Sequence, residues 1–272
     1  MRAAMTGRFH KMHGLGNDFV VIDARVNAVT MTATRARAIA DRRTGIGCDQ
    51  LIMVEPSNSA DATMRIWNND GSEVEACGNA MRALAVLIGK ATLETKGGTV
   101  HIAPDDAGAT VELAVPRFGW QEIPLAYAMD TAMMPVGWEG LDAPMAVNVG
   151  NPHVVFFVED LDAIDIERVG PIIETDALFP DRINVNVAQT IDAGRIRLRT
   201  WERAAGLTRA CGTGACATAV AAIRSRRAVG PVEVAMTGGA LIIDWREGAP
   251  IRMTGPATHV FTGDAEWSRF GA

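Results

Sequence analysis

Short apolar segments rich in valine, isoleucine and threonine recur along the chain and predict many short strands. Glycine, aspartate or proline bounds most of them, as is typical of strands joined by turns. In the first half they cover residues 19–23, 50–54, 64–68, 99–103 and 110–115. In the second half they cover residues 145–149, 154–158, 183–188, 195–201, 232–236, 240–245 and 251–253. The pattern favours two similar, strand-dominated α+β halves over a doubly wound sheet.

Four segments have the period or composition of helices, and they cover residues 34–42, 78–90, 166–175 and 212–227. The second and fourth are rich in alanine and apolar on most faces, which predicts helices buried inside the sheet of each half. Residues 116–135 mix proline, glycine and aromatic side chains without a clear period. We therefore expect a crossover between the halves in that segment.

The chain matches itself at an offset of 134 residues, which indicates an internal duplication. Residues 64–68 lie over residues 198–202, residues 16–21 lie over residues 150–155, and the alanine-rich helices also match. We expect an approximate two-fold axis that brings equivalent residues to one cleft between the halves. The predicted lobes are residues 1–123 plus 264–272, which carry Cys77, and residues 124–263, which carry Cys211.

Each half contains a cysteine just before an alanine-rich helix, in Ala76-Cys-Gly-Asn79 and Ala210-Cys-Gly-Thr213. At a helix N-terminus the unpaired N–H groups favour negative charge, so we expect a lowered thiol pKa and a cradle for a carboxylate. A thiolate on one face of a substrate α-carbon and a thiol on the other could invert its configuration. No pyridoxal phosphate signature is evident, so no cofactor is predicted. The alternative is that both cysteines are structural, which is the role we assign to Cys48 and Cys216.

Composition narrows the class of protein. The net charge of −6 is spread along the chain, so no basic stripe suggests nucleic acid as a partner. No apolar run approaches the roughly 20 residues that span a membrane, and no signal peptide is evident. Four cysteines without CxxC pairs predict no metal site and no disulfide scaffold, and His10 and His13 would need further ligands to bind a metal. These features favour a cytoplasmic enzyme acting on a small molecule.

The motifs resemble those of the diaminopimelate epimerase family nearly from end to end. They are Lys11-Met-His-Gly-Leu-Gly-Asn-Asp-Phe19, Gly45-Ile-Gly-Cys-Asp-Gln50, Asn69-Asp-Gly-Ser-Glu73, Ala76-Cys-Gly-Asn79, Gly150-Asn-Pro-His153, Glu202-Arg203 and Ala210-Cys-Gly-Thr-Gly-Ala215. The resemblance implies two pseudo-symmetric halves, each a barrel-like sheet around a central helix, with the active site between them. It also implies pyridoxal-independent epimerisation of diaminopimelate, in lysine and peptidoglycan precursor synthesis.

The resemblance assigns roles to named positions. Cys77 and Cys211 would be the acid and base, and His153 and Glu202 would tune them. Substrate-binding positions would be Asn17, Gln50, Asn68, Gly78, Asn79, Asn151, Asn184, Glu202, Arg203, Gly212 and Thr213. Arg203 suits a bidentate contact with the distal carboxylate, and Glu202 suits the distal ammonium. The oligomeric state that we expect is a homodimer.

Other interpretations stay open. The asparagines could serve turn conformations, His153 could be a surface imidazole, and Arg203 could form a solvated salt bridge. Leu207 and Ala80 depart from the family pattern, which leaves a racemase for another amino acid, as in the proline racemase relatives, as an alternative. A two-lobed amino-acid binder without catalysis is a third hypothesis, but it would not need paired thiols.

Overall fold

The computed structural model of the chain describes residues 6–75 and 77–271. Ala76 of the first cysteine motif and the outermost residues of the predicted N-terminal lobe lie outside this part of the chain. The fold separates into two compact units, of which the first runs to Val111 and resumes at Gly255, and the second covers Glu112–Thr254. This division reflects how compactly each part of the chain packs, whereas the lobes are predicted from the internal repeat. The bounds of the predicted lobes therefore stay a prediction.

The first unit is a mostly antiparallel sheet with two helices. Its strands are β1 (Thr6–Gly14), β2 (Asn17–Asp23), β3 (Gln50–Glu55), β4 (Ala62–Asn68), β5 (Glu73–Val74), β6 (Ala91–Thr95), β7 (Gly98–Asp105), β8 (Gly108–Leu113) and, after the second unit, β19 (Thr258–Glu266). Its helices are α1 (Ala33–Ala40) and α2 (Gly78–Ile88), and a 3-10 turn over Trp267–Arg269 follows β19.

Two parallel crossovers organise the first unit. β2 pairs in parallel with β3 across α1, and β4 pairs in parallel with β6 across α2. α2 packs against β1, β7 and β19, and its residues 79–85 are buried. The sheet therefore wraps around α2, as its alanine-rich, apolar sequence predicts.

The second unit repeats this arrangement. It contains the short hairpin β9 (Gly137–Trp138) and β10 (Leu141–Asp142), the strands β11 (Met145–Asn148), β12 (Pro152–Phe157), β13 (Asn184–Asp192), β14 (Arg195–Glu202), β15 (Gly206–Thr208), β16 (Val232–Met236), β17 (Gly239–Asp244) and β18 (Ile251–Gly255), and the helices α3 (Ile166–Glu174) and α4 (Gly212–Arg224).

The crossovers of the second unit match those of the first. β12 pairs in parallel with β13 across α3, and β14 pairs in parallel with β16 across α4. α4 packs against β11 to β14, β16 and β17 and is buried along most of its length. The predicted fold class is therefore confirmed: each half is a strand-rich sheet around a central helix, and the two halves repeat.

The 134-residue offset holds from β2 and β12 through the starts of α2 and α4. Beyond the helices it changes, because β6 begins at Ala91 whereas β16 begins at Val232, an offset of 141. The duplication is thus strictest in the elements that lead to the two cysteines.

Several longer strands escaped the sequence analysis, chiefly β1, β6 and β19. β1 places polar side chains such as His10 and Lys11 between the buried Phe9 and Met12, and β19 is exposed along much of its length. Because β1 and β19 lack a continuous apolar face, the hydrophobic pattern of these two strands is weak. They are stabilised by forming an antiparallel pair with each other, with a register shift between Lys11 and Met12.

Two helices end earlier than predicted. α2 stops at Ile88 because Gly89 leaves the helix with a φ of 84°, and α4 stops at Arg224. Residues 116–135 lie inside the second unit as a loop, held by backbone hydrogen bonds of 2.9 Å between Arg117 and Asn148 in both directions. The chain passes from the first unit to the second before this segment, within β8. Within residues 6–75 and 77–271, no helix has the length and apolar composition to cross a membrane.

Candidate active site

Three predicted binding residues of the first unit line up at one edge of its sheet. Asn17 begins β2, Gln50 begins β3 and Asn68 ends β4. In the strand register, Gln50 lies opposite Asn68 on one side. On its other side Gln50 lies opposite Phe19, which is two residues after Asn17. The folding of three neighbouring strands therefore gathers these amides.

The amides of this edge leave one buried atom unsatisfied. Gln50 Nε2 donates to Asn68 Oδ1 at 3.0 Å, and Asn68 Nδ2 donates to Ser72 Oγ at 3.2 Å. Within the described part of the chain, Gln50 Oε1 is buried and has no hydrogen-bond partner. A buried acceptor of this kind costs about 1–3 kcal/mol unless a ligand or water donates to it.

Cys77 lies at the start of α2, next to Asn17. The helix begins at Gly78, so Cys77 is its N-cap residue, and its side chain is half-buried. Cys77 Sγ lies 3.7 Å from Asn17 Oδ1, and Asn79 Nδ2 donates to the same oxygen at 3.4 Å. Arg82, fully buried one turn into α2, donates to Asn79 Oδ1 at 2.7 Å. The structure thus brings Asn17, Cys77 and Asn79 together.

A charged cluster holds the starts of β2 and β3. Asp18 and Asp49 exchange backbone-to-carboxylate hydrogen bonds of 3.0 and 3.1 Å, and Arg42 binds both carboxylates at 2.6 and 2.7 Å. Lys11 adds a contact of 2.5 Å to Asp18. Burial alone would raise the pKa of Asp18, but the hydrogen bonds from Arg42 and Lys11 hold that pKa well below its usual range. Asn17 and Gln50, the sequence neighbours of these acids, are anchored as a result.

The second unit has the equivalent edge. Asn151 precedes β12, Asn184 begins β13 and Glu202 ends β14. Asn184 is buried, and its Nδ2 donates to Pro152 O at 2.8 Å while its Oδ1 accepts from Arg203 N at 3.0 Å. In this structure Asn184 therefore positions the backbone of Arg203.

Glu202 and Arg203 present opposite charges side by side. Glu202 Oε1 accepts from Thr208 Oγ1 at 2.6 Å. The Arg203 side chain is exposed, and its Nη1 donates to Asp181 O at 3.0 Å. Among the residues that the structure describes, Arg203 forms no salt bridge, so the solvated salt bridge that we considered for it is wrong. Its remaining N–H groups are available to an anion.

Cys211 occupies the N-cap of α4 and is buried. Its Sγ accepts from Gly214 N at 3.3 Å and lies 3.5 Å from Thr213 Oγ1, within the first turn that Gly212 begins. The expected lowering of its pKa is wrong for this structure. Burial raises the pKa of Cys211 well above its usual value and the charge of Glu202 raises it further, against the opposing hydrogen bonds from Thr213 and Gly214. Cys211 is consequently a thiol at neutral pH.

His153 is fully buried, so the surface imidazole that we considered is wrong. Its Nε2 lies 2.9 Å from Asn151 Oδ1 and its Nδ1 lies 3.1 Å from Asn186 Nδ2. Burial lowers the pKa of His153 to about 3, and the nearby positive charge of Arg203 contributes. The imidazole is therefore neutral at physiological pH.

Sequence reasoning missed Asn186, Thr200 and Arg82. Asn186 and Thr200 each lie two residues from a predicted site residue on the same strand, and hence on the same face of the sheet. Arg82 is the charged residue of an otherwise apolar stretch of α2. A polar side chain repeated at a spacing of two in a buried strand was the signal that could have found the first two.

Solved structures share the fold at low sequence identity. A Bacillus anthracis phenazine biosynthesis protein of the PhzF family aligns with a TM-score of 0.66 at 15% identity, covering 96% of this chain and 99% of that one. A hydroxyproline epimerase from Agrobacterium vitis, with bound trans-4-hydroxy-L-proline, aligns with a TM-score of 0.65 at 15% identity, covering 97% and 93%. At this identity the likeness shows the fold alone.

Sequence relatives are much closer. A diaminopimelate epimerase from Rhizorhabdus wittichii is 65% identical over 270 residues, covering 98% of both chains. One from Sphingopyxis alaskensis is 61% identical over 268 residues, covering 98% of this chain and all of the relative. The model of the diaminopimelate epimerase family matches residues 9–117 and 145–260, which include both cysteine motifs and both sheet edges. The chain therefore belongs to the diaminopimelate epimerase family.

Proposed function

We propose that this protein interconverts LL- and meso-diaminopimelate without pyridoxal phosphate, using Cys77 and Cys211 as a pair of acid and base. The observation that carries the proposal is the equivalence of these cysteines. Each is the N-cap residue of the buried central helix of its unit, each precedes a glycine, and each stands beside a sheet edge of amide and charged side chains. Structural cysteines would not need this repeated polar setting.

The two sulfurs differ in a way that suits two roles. Cys211 is buried and carries a raised pKa, so it holds its proton and acts as the acid of the first turnover. Cys77 is half-buried at the N-terminus of α2, where the first backbone N–H groups of the helix favour negative charge, and we assign it the role of base. Cys77 takes the α-proton of the substrate while Cys211 gives its proton to the opposite face of the same carbon, which inverts the configuration. The reverse reaction uses the same groups with exchanged roles.

The α-proton of an amino acid is weakly acidic, so the developing enediolate needs stabilisation. The first backbone N–H groups of α2 and α4 supply donors for the carboxylate next to the reacting carbon, at the residues Gly78, Asn79, Gly212 and Thr213. Donors of this kind contribute roughly 3–4 kcal/mol each in oxyanion holes. Together they can replace part of what an electron-sink cofactor would provide.

Diaminopimelate has an amino and a carboxylate group at each end, and the site offers groups for a second end. Arg203 can bind the distal carboxylate with its remaining N–H groups, since among residues 6–75 and 77–271 its side chain donates to Asp181 O through Nη1 alone. Glu202 can accept from the distal ammonium, because the two oxygens of a carboxylate offer about four acceptor positions and the contacts with Thr208 and Cys211 use only part of them. Gln50 Oε1, a buried acceptor that lacks a donor within the described residues, fits a substrate N–H group.

Exchange of the α-proton in deuterated water tests the chemistry. We expect LL-diaminopimelate to exchange without added pyridoxal phosphate, and Cys77→Ala or Cys211→Ala to lose roughly 10²–10⁴-fold in rate, the usual contribution of a general acid or base. Cys48→Ala is the control, since Cys48 is a buried thiol outside the motifs of Cys77 and Cys211. Burial raises the pKa of Cys48 to about 12. Absence of exchange with the wild-type protein, or full epimerisation by Cys77→Ala, would refute the proposal.

Removal of the distal anchor tests the substrate. Arg203→Ala should lower kcat/KM for diaminopimelate by about 10- to 100-fold, because a charge-assisted hydrogen bond contributes about 1.5–3 kcal/mol. Arg195→Ala is the control: Arg195 is exposed at the other end of β14, in an ion pair with Asp192. If Arg203→Ala turns over diaminopimelate normally, a racemase for a smaller amino acid becomes the better interpretation.

Failure of a thiol reagent to inactivate the protein would favour a non-catalytic binder.

The family resemblance extends the proposal to the cellular setting. We propose a cytoplasmic enzyme of lysine and peptidoglycan precursor synthesis that acts as a homodimer. Light scattering of the purified protein tests the dimer, and diaminopimelate auxotrophy of a strain lacking the gene tests the pathway.

A further inference from the structure

A row of hydrogen-bonded polar side chains crosses the core of the second unit. Thr200 Oγ1 donates to Asn186 Oδ1 at 3.0 Å, and Asn186 Nδ2 contacts both Val154 O and His153 Nδ1 at 3.1 Å. His153 Nε2 in turn contacts Asn151 Oδ1 at 2.9 Å. Thr200, Asn186 and His153 are buried, whereas Asn151 is half-buried at the sheet edge.

The row has one consistent direction. Val154 O can only accept, so the Asn186 atom that contacts it must be the amide nitrogen, and Thr200 then donates to the amide oxygen. The same amide nitrogen faces His153 Nδ1, which must therefore be the unprotonated ring nitrogen. The proton of the neutral imidazole is left on Nε2, where it points to Asn151 Oδ1.

We propose that Asn186 is a positioning residue, which sets the Nε2–H tautomer of His153 and through it the orientation of the Asn151 amide. The imidazole donates to Asn151 Oδ1, so the Asn151 NH2 group faces the sheet edge as a donor. Asn151 thus offers its NH2 group to a substrate oxygen, while the imidazole already donates to its Oδ1. This inference rests on the proposed function only in assigning Asn151 to substrate binding.

The surroundings of residue 186 favour asparagine over other residue types. A Cβ at Gly214 would lie 2.7 Å from Asn186 Oδ1 and 2.8 Å from Thr200 Oγ1, so the first turn of α4 packs directly on the row. Leucine would leave His153 Nδ1 and Val154 O without their donor. Aspartate has the same shape but only acceptors, so it would require a proton on Nδ1 instead. Among the described residues, Arg203 is the charged group that acts on His153.

The experiment combines imidazole ¹⁵N NMR with kinetics on the full-length protein. His153 in the wild-type protein should show the Nε2–H tautomer and should not titrate between about pH 5 and pH 8, unlike an ordinary imidazole. His153→Gln identifies the signal. In Asn186→Asp we expect a protonated Nδ1, a new ionisation in the pH profile of kcat/KM in that range, and a loss on the order of tenfold at neutral pH.

Two further variants separate positioning from simple destabilisation. Gln189→Glu makes the same amide-to-carboxylate change further along β13, where the amide nitrogen meets Glu159 O, and should leave the His153 signal and the pH profile unchanged. Thr200→Val removes only the donor to Asn186 Oδ1, so it should keep the tautomer and lower kcat/KM by a smaller factor than Asn186→Asp.

An Nδ1–H tautomer in the wild-type protein would overturn the inference, and this readout holds even if Asn186→Asp does not fold. An Asn186→Asp protein with the wild-type tautomer and pH profile would overturn it as well. If diaminopimelate does not exchange its α-proton at all, the proposed function fails, while the NMR result still decides whether Asn186 sets the tautomer.

Discussion

At the scale of single residues, burial and a neighbouring charge outweigh the helix N-terminus at Cys211. The first turn of α4 directs Gly214 N toward the sulfur, which favours a thiolate by about 0.3–1 kcal/mol for an exposed group. Removal from water and the carboxylate of Glu202 act in the opposite direction and win. A cysteine at a helix start is thus not reactive by position alone.

Glu202→Gln should make Cys211 more acidic, because it removes a negative charge that raises the pKa of that thiol. We expect the alkylation rate of Cys211 at neutral pH to rise, measured by mass spectrometry of peptides after timed exposure to iodoacetamide. The rate at Cys77 in the same sample serves as an internal reference. Glu233→Gln, an exposed acid on β16, should change neither rate. An unchanged Cys211 rate in Glu202→Gln would show that Glu202 does not act on this thiol.

At the scale of elements, the start of α4 depends on a glycine where a helix would ordinarily prefer alanine. Gly214 lies in the first turn of α4, and a side chain there would meet Asn186, Thr200 and Cys211 Cβ at 2.7, 2.8 and 3.2 Å. The helix therefore approaches β13 and β14 more closely than any other residue type would allow. This approach sets the position of the Cys211 sulfur over the strands.

Gly214→Ala should destabilise the protein, although helix propensity alone would stabilise it by about 1 kcal/mol. Overpacking of a dense interior costs about 1–3 kcal/mol, so the steric cost outweighs the propensity gain. Urea unfolding should show the loss, and kcat should fall because Cys211 moves. Gly194→Ala is the matched control, since a Cβ there meets only Asp192 Oδ1 at 3.8 Å. Equal stability of the two variants would contradict the close packing at α4.

At the scale of the whole molecule, the buried neutral imidazole of His153 couples stability to pH. Its pKa is about 3 in the folded protein and near 6.5 in the unfolded chain, so between these values the unfolded chain binds more protons. Stability from this group is therefore fully present above about pH 6.5 and falls as the pH decreases toward 3. The carboxylate of Asp18, whose pKa is depressed, loses its contribution to stability only below about pH 4. It therefore does not affect a comparison made between about pH 5 and about pH 7.

Wild-type protein should lose about 2 kcal/mol more unfolding free energy than His153→Gln between about pH 7 and about pH 5. Urea titrations at both pH values give the comparison, and the other titrating groups cancel between the two proteins. His101→Gln, which removes an exposed imidazole on β7, should follow the wild-type slope. A His153→Gln protein with the wild-type pH dependence would show that His153 is not held neutral in the fold.

The sequence by itself determined the duplication, the two central helices, the N-cap placement of Cys77 and Cys211, and the family. Those features are local or repeated: apolar periodicity reports a buried helix, and an offset of 134 reports equivalent positions. Strands β1 and β19 escaped because their stability comes from a pairing between residues about 250 positions apart, which leaves little trace in a local pattern.

Only the tertiary structure decided the state of the site's ionisable groups and the partners of its amides. Cys77 and Cys211 share one motif, yet burial and Glu202 act on Cys211 through contacts that the motif does not contain. Asn186 and Thr200 reach His153 across three strands, and Arg82 reaches Asn79 from inside the first unit's sheet. A pKa and a tautomer depend on what surrounds a group in space, and the order of residues along the chain specifies that only through the fold.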